Sequence, residues 1–154
     1  VTDRVDFTRA GDGDLADLVV LRYRWRVEEA GERGQGIDEF ESQFRSWYET
    51  HRSTHVGFLA RANGTAIGCA WLFVVDRIPG PERFIRRAGM LQSVYVEPSR
   101  RNHGVGDGLI RTVIEEAKER ELDYLMVHPS SASFPFYRRL GFADSSRVLE
   151  LRFV

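Results

Sequence analysis

The residues whose types and spacing best suit chemistry stand between Val94 and Leu109, where the chain reads VYVEPSRRNHGVGDGL. An apolar run stops at Pro98, and a glycine-rich stretch then leads into a helical pattern. A helix start offers unpaired N–H groups and about half a positive charge, so it can hold phosphate. Gly104 and Gly106 lack the Cβ atoms that would keep a pyrophosphate from the backbone. Arg100 and Arg101 add cations at the same mouth. These features point to a phosphate-bearing cofactor; a glycine-softened helix start with solvated arginines is the plainer alternative. Spacing excludes two familiar phosphate loops. Seven residues separate Val96 from Gly104, and Gly104, Gly106 and Gly108 do not read as the dinucleotide pattern G-x-G-x-x-G. No Lys-Ser or Lys-Thr follows the glycines, so Walker A fails too.

Other reactive side chains form no comparable pattern. His51, His55 and His103 lack metal-ligand spacing and acidic or cysteine partners in register, so no metal is expected. Ser130, Ser131 and Ser133 supply hydroxyls without a nucleophile elbow. Trp25, Trp47, Tyr48, Trp71 and Phe73 read as core and cleft wall. From Glu28 to Glu41 six acids face Arg33 alone, either a lip that draws a cationic amine or a solvated helix end. The loop from Asp76 to Arg87 carries Arg77, Arg83, Arg86 and Arg87 against Asp76 and Glu82, which would suit an acidic group instead.

The elements that must position the glycine loop follow from periodicity. Val5 to Thr8 alternates as a strand, and Asp14 to Ala30 repeats apolar residues at helical spacing until Gly31 breaks it. A second helix is predicted over Asp38 to His51. Val56 to Arg61 and Ala66 to Val75 flank Asn63-Gly64, a hairpin signal. Met90 to Val96 and Tyr124 to His128 read as buried strands, with a helix over Gly104 to Arg120 between them. A short helix over Ser133 to Leu140 ends at Gly141, and Arg147 to Phe153 alternates as a closing strand. The order β-α-α-β-β-β-α-β-α-β implies an α/β fold, more strictly an α+β mixed sheet with helices on both faces.

Composition narrows the function classes. The 154 residues suit one domain over 1–154, with no linker-like stretch or repeat. A net charge of -1 gives no electrostatic reason to expect nucleic acid or a membrane surface as partner. No apolar run reaches bilayer length and no charged-then-apolar leader opens the sequence, so a cytoplasmic protein is expected. The single cysteine, Cys69, fits a reducing compartment.

Two segments together resemble a known family. Arg101-x-x-Gly104-x-Gly106, preceded by Val96-Glu97-Pro98, is similar to the R/Q-x-x-G-x-G/A signature of the GNAT superfamily of N-acetyltransferases. Phe136-Tyr137-Arg138-Arg139-Leu140-Gly141-Phe142 looks like that family's L-Y-x-x-L-G-F segment, at the expected place after the next strand. The resemblance is close over residues 88–143 and covers the whole chain in element order.

What it implies is a GNAT-like splayed sheet whose V-shaped opening takes acetyl-CoA. Backbone groups of Val94, Tyr95 and Val96 would bond the pantetheine arm. Arg101 and the N–H groups of Asn102, His103, Gly104, Val105, Gly106 and Asp107 would hold the pyrophosphate. Ser130 stands where the family often carries a pantetheine-contacting Asn, so a hydroxyl would make only part of that contact. Tyr137 takes the place of the general acid for the CoA thiolate. Some relatives carry a glutamate base where this chain has Leu125; His128 is the nearby alternative, and the base stays unassigned. The expected activity is acetyl transfer to a primary amine of a small molecule by direct attack in a ternary complex. Acetylation of protein N-termini or lysines, and a non-catalytic CoA-binding module, are the alternatives. A sheet-edge homodimer is also expected from similar proteins.

Overall fold

The computed structural model describes residues 3–154. Its frame is one five-stranded sheet in the order β1-β2-β3-β4-β5. The strands are β1 (Val5–Arg9), β2 (His55–Ala62), β3 (Thr65–Asp76), β4 (Arg87–Val96) and β5 (Leu125–Val127). β1 to β4 pair antiparallel, while β5 lies parallel to β4. A parallel neighbour needs a crossover, and α3 (Val105–Glu119) supplies it. Asn63 and Gly64 turn β2 into β3 with φ of 49° and 83°, the double positive φ of a type I′ hairpin.

Two apolar clusters sit on opposite faces of the sheet, as strand alternation requires. On one face Phe58, Ala70, Leu72 and Leu91 meet Leu109, Ile110 and Val113 of α3. On the other, Leu59, Cys69, Trp71 and Tyr95 meet Leu15, Leu18, Val19 and Leu21 of α1 (Leu15–Tyr23) and Tyr48 of α2 (Ile37–His51). A short α4 (Phe134–Arg139) adds Tyr137 to the α3 side. Among the described residues no helix is long and apolar enough to cross a membrane.

Three expectations are corrected. The helix expected as continuous from Asp14 to Ala30 is α-helical only to Tyr23, and Arg24–Glu29 continue as a π-helix. The wider turn shifts helical phase, and Trp25 comes to lie stacked on Tyr95 at 6.2 Å. The strand expected over Tyr124 to His128 is three residues long. The closing strand expected over Arg147 to Phe153 does not form, so the sheet has five strands rather than six. Alternation favours a half-buried surface but does not supply a partner edge. Leu149, Leu151 and Phe153 are 97%, 78% and 89% exposed. A hollow of about 330 Å³ beside β5, lined by Ile114, Leu122, Leu125, Leu140 and Phe142, is therefore left uncovered.

Candidate active site

The site begins where β4 and β5 part. The two strands pair only through Gly89 with Leu125, Met90 with Met126, and Leu91 with Val127. β4 runs on to Val96, so among the described residues the edge from Gln92 to Val96 has no strand on that side. Backbone N–H and C=O groups demand partners, and this edge offers a row of them to an extended ligand. Within it β4 bulges. Trp71 pairs with Gln92 and Cys69 with Tyr95, leaving Ser93 and Val94 opposite Ala70 alone. Ser93 takes φ 52°, rare for a residue with a side chain and costing about 1–3 kcal/mol. Val94, Tyr95 and Val96 thus sit on the free edge. Val94 and Val96 pack toward α3, and Tyr95 packs toward α1.

The glycine loop opens at the same end. Asn102 and Gly104 have φ of 62° and 81°, and Gly104 caps α3 with open space where a Cβ would stand. Gly106 lies between Val96 and α4: an added Cβ would sit 3.4 Å from Phe136 Cζ and 4.0 Å from Val96 Cγ2. That contact draws strand, loop and α4 together, and it qualifies the expectation that Gly106 clears space for phosphate. Gly108 serves packing, since a Cβ there would fall 2.5 and 2.6 Å from ring carbons of Phe7 on β1. Arg101 donates from Nε to Val96 O at 2.9 Å, and its guanidinium carbon stands 5.7 Å from the centre of the Tyr95 ring. His103 Nδ1 is 2.6 Å from Arg101 O, and Asp107 holds Arg111 at 2.6 Å. Val105 is buried beneath the loop.

Tyr137 is 7% exposed and meets Phe136 and Phe142 edge-on at 5.0 and 5.5 Å. Burial raises the pKa of its phenol, which therefore keeps its proton. Its hydroxyl makes no hydrogen bond among the described residues, so it is free to donate. Ser130 stands in the turn before α4 with its Oγ 2.9 Å from Ser133 Oγ. Leu125 packs into the α3-side core, and His128 is exposed just past β5.

Reading the sequence placed Trp25 in the cleft wall but missed the arginines beside it. Arg22 of α1 donates to Ser93 Oγ at 3.1 Å, and Arg24 pairs with Glu97 beside the loop. Three of the six acids between Glu28 and Glu41 are neutralised: Glu29 pairs with Arg101, Glu32 with Arg26, and Glu41 with Arg45. That compensates half of the acids on which an acidic lip would depend and leaves Glu28, Asp38 and Glu39 without an ion pair among the described residues. The recurrence of Arg22, Trp25 and Arg26 at helical spacing was the available signal for this wall.

A sheet splayed beside a helix N-terminus, with a buried tyrosine on one flank, is the layout that the sequence resemblance implies. The chain belongs to the acetyltransferase (GNAT) family, whose pattern it matches over residues 20–142. It is 30% identical over 94 residues to a glucosamine 6-phosphate N-acetyltransferase of Trypanosoma brucei brucei, a match covering 61% of this chain and 62% of that protein. It is 23% identical over 128 residues to an uncharacterized N-acetyltransferase of Methanocaldococcus jannaschii, covering 74% of this chain and 53% of the other. The chain thus spans between half and two-thirds of the length of these curated relatives. Among solved structures, a predicted acetyltransferase of Clostridium acetobutylicum, determined with acetyl-CoA, superposes with a TM-score of 0.77 at 25% identity, covering 97% of this chain and 96% of that one.

Proposed function

We propose that this protein moves the acetyl group of acetyl-CoA onto a primary amine of a small molecule, by direct attack in a ternary complex. The observation that carries this reading is the parting of β4 from β5 after Leu91, at the end of the sheet where Gly104 opens the N-terminus of α3. Acetyl-CoA supplies a thioester carbonyl for attack and a thiolate that leaves. The edge at Val94, Tyr95 and Val96 would hold its arm as an added strand. The N–H groups from Asn102 to Asp107, with Arg101, would hold its pyrophosphate, and Ser130 would add a hydroxyl contact. The fit rests on the open space at Gly104, where a side chain would otherwise intrude.

Holding both reactants in one cleft is worth about 7–11 kcal/mol of barrier in favourable cases. The Val94 N–H, beside the bulge, polarises the carbonyl. Tyr137 Oη holds a proton for the departing sulfur, and its raised pKa keeps that proton in place at neutral pH. An amine that binds already neutral needs no protein base in order to attack, and the proton its nitrogen then sheds passes to water. The relative from Trypanosoma makes a phosphorylated amino sugar a candidate acceptor.

Release of free CoA from acetyl-CoA, measured against amines, aminoglycosides, amino acids, peptides and glucosamine 6-phosphate, tests the proposal. Turnover on a small amine supports it. Turnover on peptides alone would move the reading to a protein acetyltransferase. Tight acetyl-CoA binding without turnover on any of them would make the protein a CoA-binding module.

A further inference from the structure

The wall facing the bulge carries more positive charge than the fold needs. Arg22 is half-buried, and one of its N–H groups is spent on Ser93 Oγ. A guanidinium has five such donors in a rigid fork. Among the described residues Arg22 makes no ion pair, whereas Arg24, Arg26 and Arg101 around it each hold a glutamate. One turn on, Arg26 gives its Nη2 to Glu32, yet its Nε is buried with no hydrogen-bond partner. A buried donor left unpaired is costly, and natural structures leave few of them. The two guanidinium carbons lie 5.1 and 5.7 Å from the centre of the same Trp25 ring, which itself stacks on Tyr95. Arg22, Trp25 and Arg26 therefore form one cationic platform with an aromatic floor.

The nearby carboxylates of Glu29 and Glu97 are spent on Arg101 and Arg24. Glu32 is the carboxylate that faces it, and Arg26 already engages it. Cys69 below is neutral, because burial pushes its thiol up to about 12. Burial and then the charge of Arg26 lower the pKa of Arg22. A bound anion would relieve both effects and supply acceptors for the idle N–H groups. The pyrophosphate of acetyl-CoA is not that anion. Ser93 precedes Val96 by three residues, which places Arg22 roughly 10 Å back along β4 from the strand end that feeds the loop.

We propose that Arg22 and Arg26 bind an anionic group, a phosphate or a carboxylate, carried by the acceptor amine. The site selects the acceptor and turns its amine toward the thioester held beside Val94. This rests on the acetyltransferase reading for the identity of the ligand as acceptor, but the anion site itself can be read without turnover.

The test is a calorimetric titration of the CoA-loaded protein with three matched amines: ethanolamine, O-phosphoethanolamine and β-alanine. The expected result is that an anionic amine binds at least about tenfold more tightly than ethanolamine. Which of the two binds better distinguishes phosphate from carboxylate. R22Q should bring the anionic amines to within about threefold of ethanolamine, with R22K restoring part of the preference. Acetyl-CoA affinity should hold in both variants, showing that the fold and cofactor cleft survive. If R22Q fails to fold, R26Q takes its place and should also reduce the preference. Equal affinities for all three amines in the parent, no measurable binding of either anionic amine, or a preference that survives both substitutions would overturn the proposal. Anion preference without acetyl transfer to any amine would sink the enzymatic reading and leave the anion site standing. Transfer without preference would do the reverse.

Discussion

Arg101 of the glycine loop is bound to Glu29, at the end of the π-helical segment, through both carboxylate oxygens at 2.6 and 2.9 Å. A second pair, Arg24 with Glu97, runs beside it. The π-helical segment after α1 is thus tied to the glycine loop by two ion pairs, and the charge of Arg101 is already compensated. A pyrophosphate arriving at α3 must share Arg101 with Glu29. Exposed pairs of this kind are worth about 0–1 kcal/mol, so Glu29→Gln should tighten acetyl-CoA binding up to about fivefold. Raising the salt should shrink that gain. Calorimetry at low and high salt checks it, and weaker binding in the variant would mean that Glu29 positions Arg101 for the phosphate.

The glycines of the loop should separate by experiment. Gly104→Ala forces a side chain into φ 81° and puts its Cβ in the open space of the cradle. Acetyl-CoA affinity should fall about tenfold or more, near 1.4 kcal/mol, with a smaller loss of stability. Gly108→Ala drives a Cβ into the Phe7 ring and should cost stability instead, about 1–3 kcal/mol. Denaturation and calorimetry on both proteins decide the matter. Equal effects on affinity in the two variants would remove the special role of Gly104.

The glycine loop and the strands beside it were legible because their signals are local. Pro98 stops a strand, Gly104 permits a left-handed cap, and Asn63-Gly64 writes a hairpin into two residues. The wall facing the bulge was not, because it depends on groups far apart in sequence. Arg22 meets Ser93 across 71 residues, and the bulge that presents Ser93 has no glycine to announce it. Charge counted along the chain also misled: the acids from Glu28 to Glu41 look like a negative lip until Arg26, Arg45 and Arg101 fold onto them. The tail failed for a related reason. Alternation at Leu149, Leu151 and Phe153 describes a surface, while a strand also needs an edge long enough to pair, and β5 pairs over only three residues.

Acid should weaken the fold through His55. Its ring stacks on Phe73 at 4.6 Å and meets Trp47 edge-on at 5.0 Å, and burial followed by the nearby His51 lowers its pKa. A lowered folded pKa means that the unfolded chain binds this proton more readily. Stability from the neutral ring is therefore complete above the unfolded value of about 6.5 and drains away as pH falls toward the folded pKa. His55→Phe keeps the stacking and removes the proton. The melting temperature of the variant should fall less steeply than the parent's as pH drops below about 6.5. Identical slopes would assign the acid sensitivity to other groups.

The tail offers a direct check of the five-stranded sheet. With Leu149, Leu151 and Phe153 this exposed, replacing all three by Ser should change stability by no more than about 0.5 kcal/mol. A loss above about 1 kcal/mol would mean that the segment buries itself, with the hollow beside β5 as the place it would cover.

Tyr137 is the side chain on which the proposed chemistry most depends. It lies on α4 among Phe136 and Phe142, its ring belongs to the α3-side core, and its hydroxyl is unbonded among the described residues. Burial raises its pKa, so it is protonated at neutral pH and suited to give a proton rather than take one. General acids are typically worth about 10²–10⁴ in rate, yet a thiolate with a parent pKa near 8.5 already leaves fairly well. Tyr137→Phe should therefore lower kcat toward the small end, about 10- to 100-fold. Phe keeps the ring and both edge contacts, so melting temperature and acetyl-CoA affinity should barely move. An equal loss of affinity and rate would mark Tyr137 as a packing or binding residue. A kcat within about twofold of the parent would remove it from the mechanism and leave the thiolate to take its proton from water.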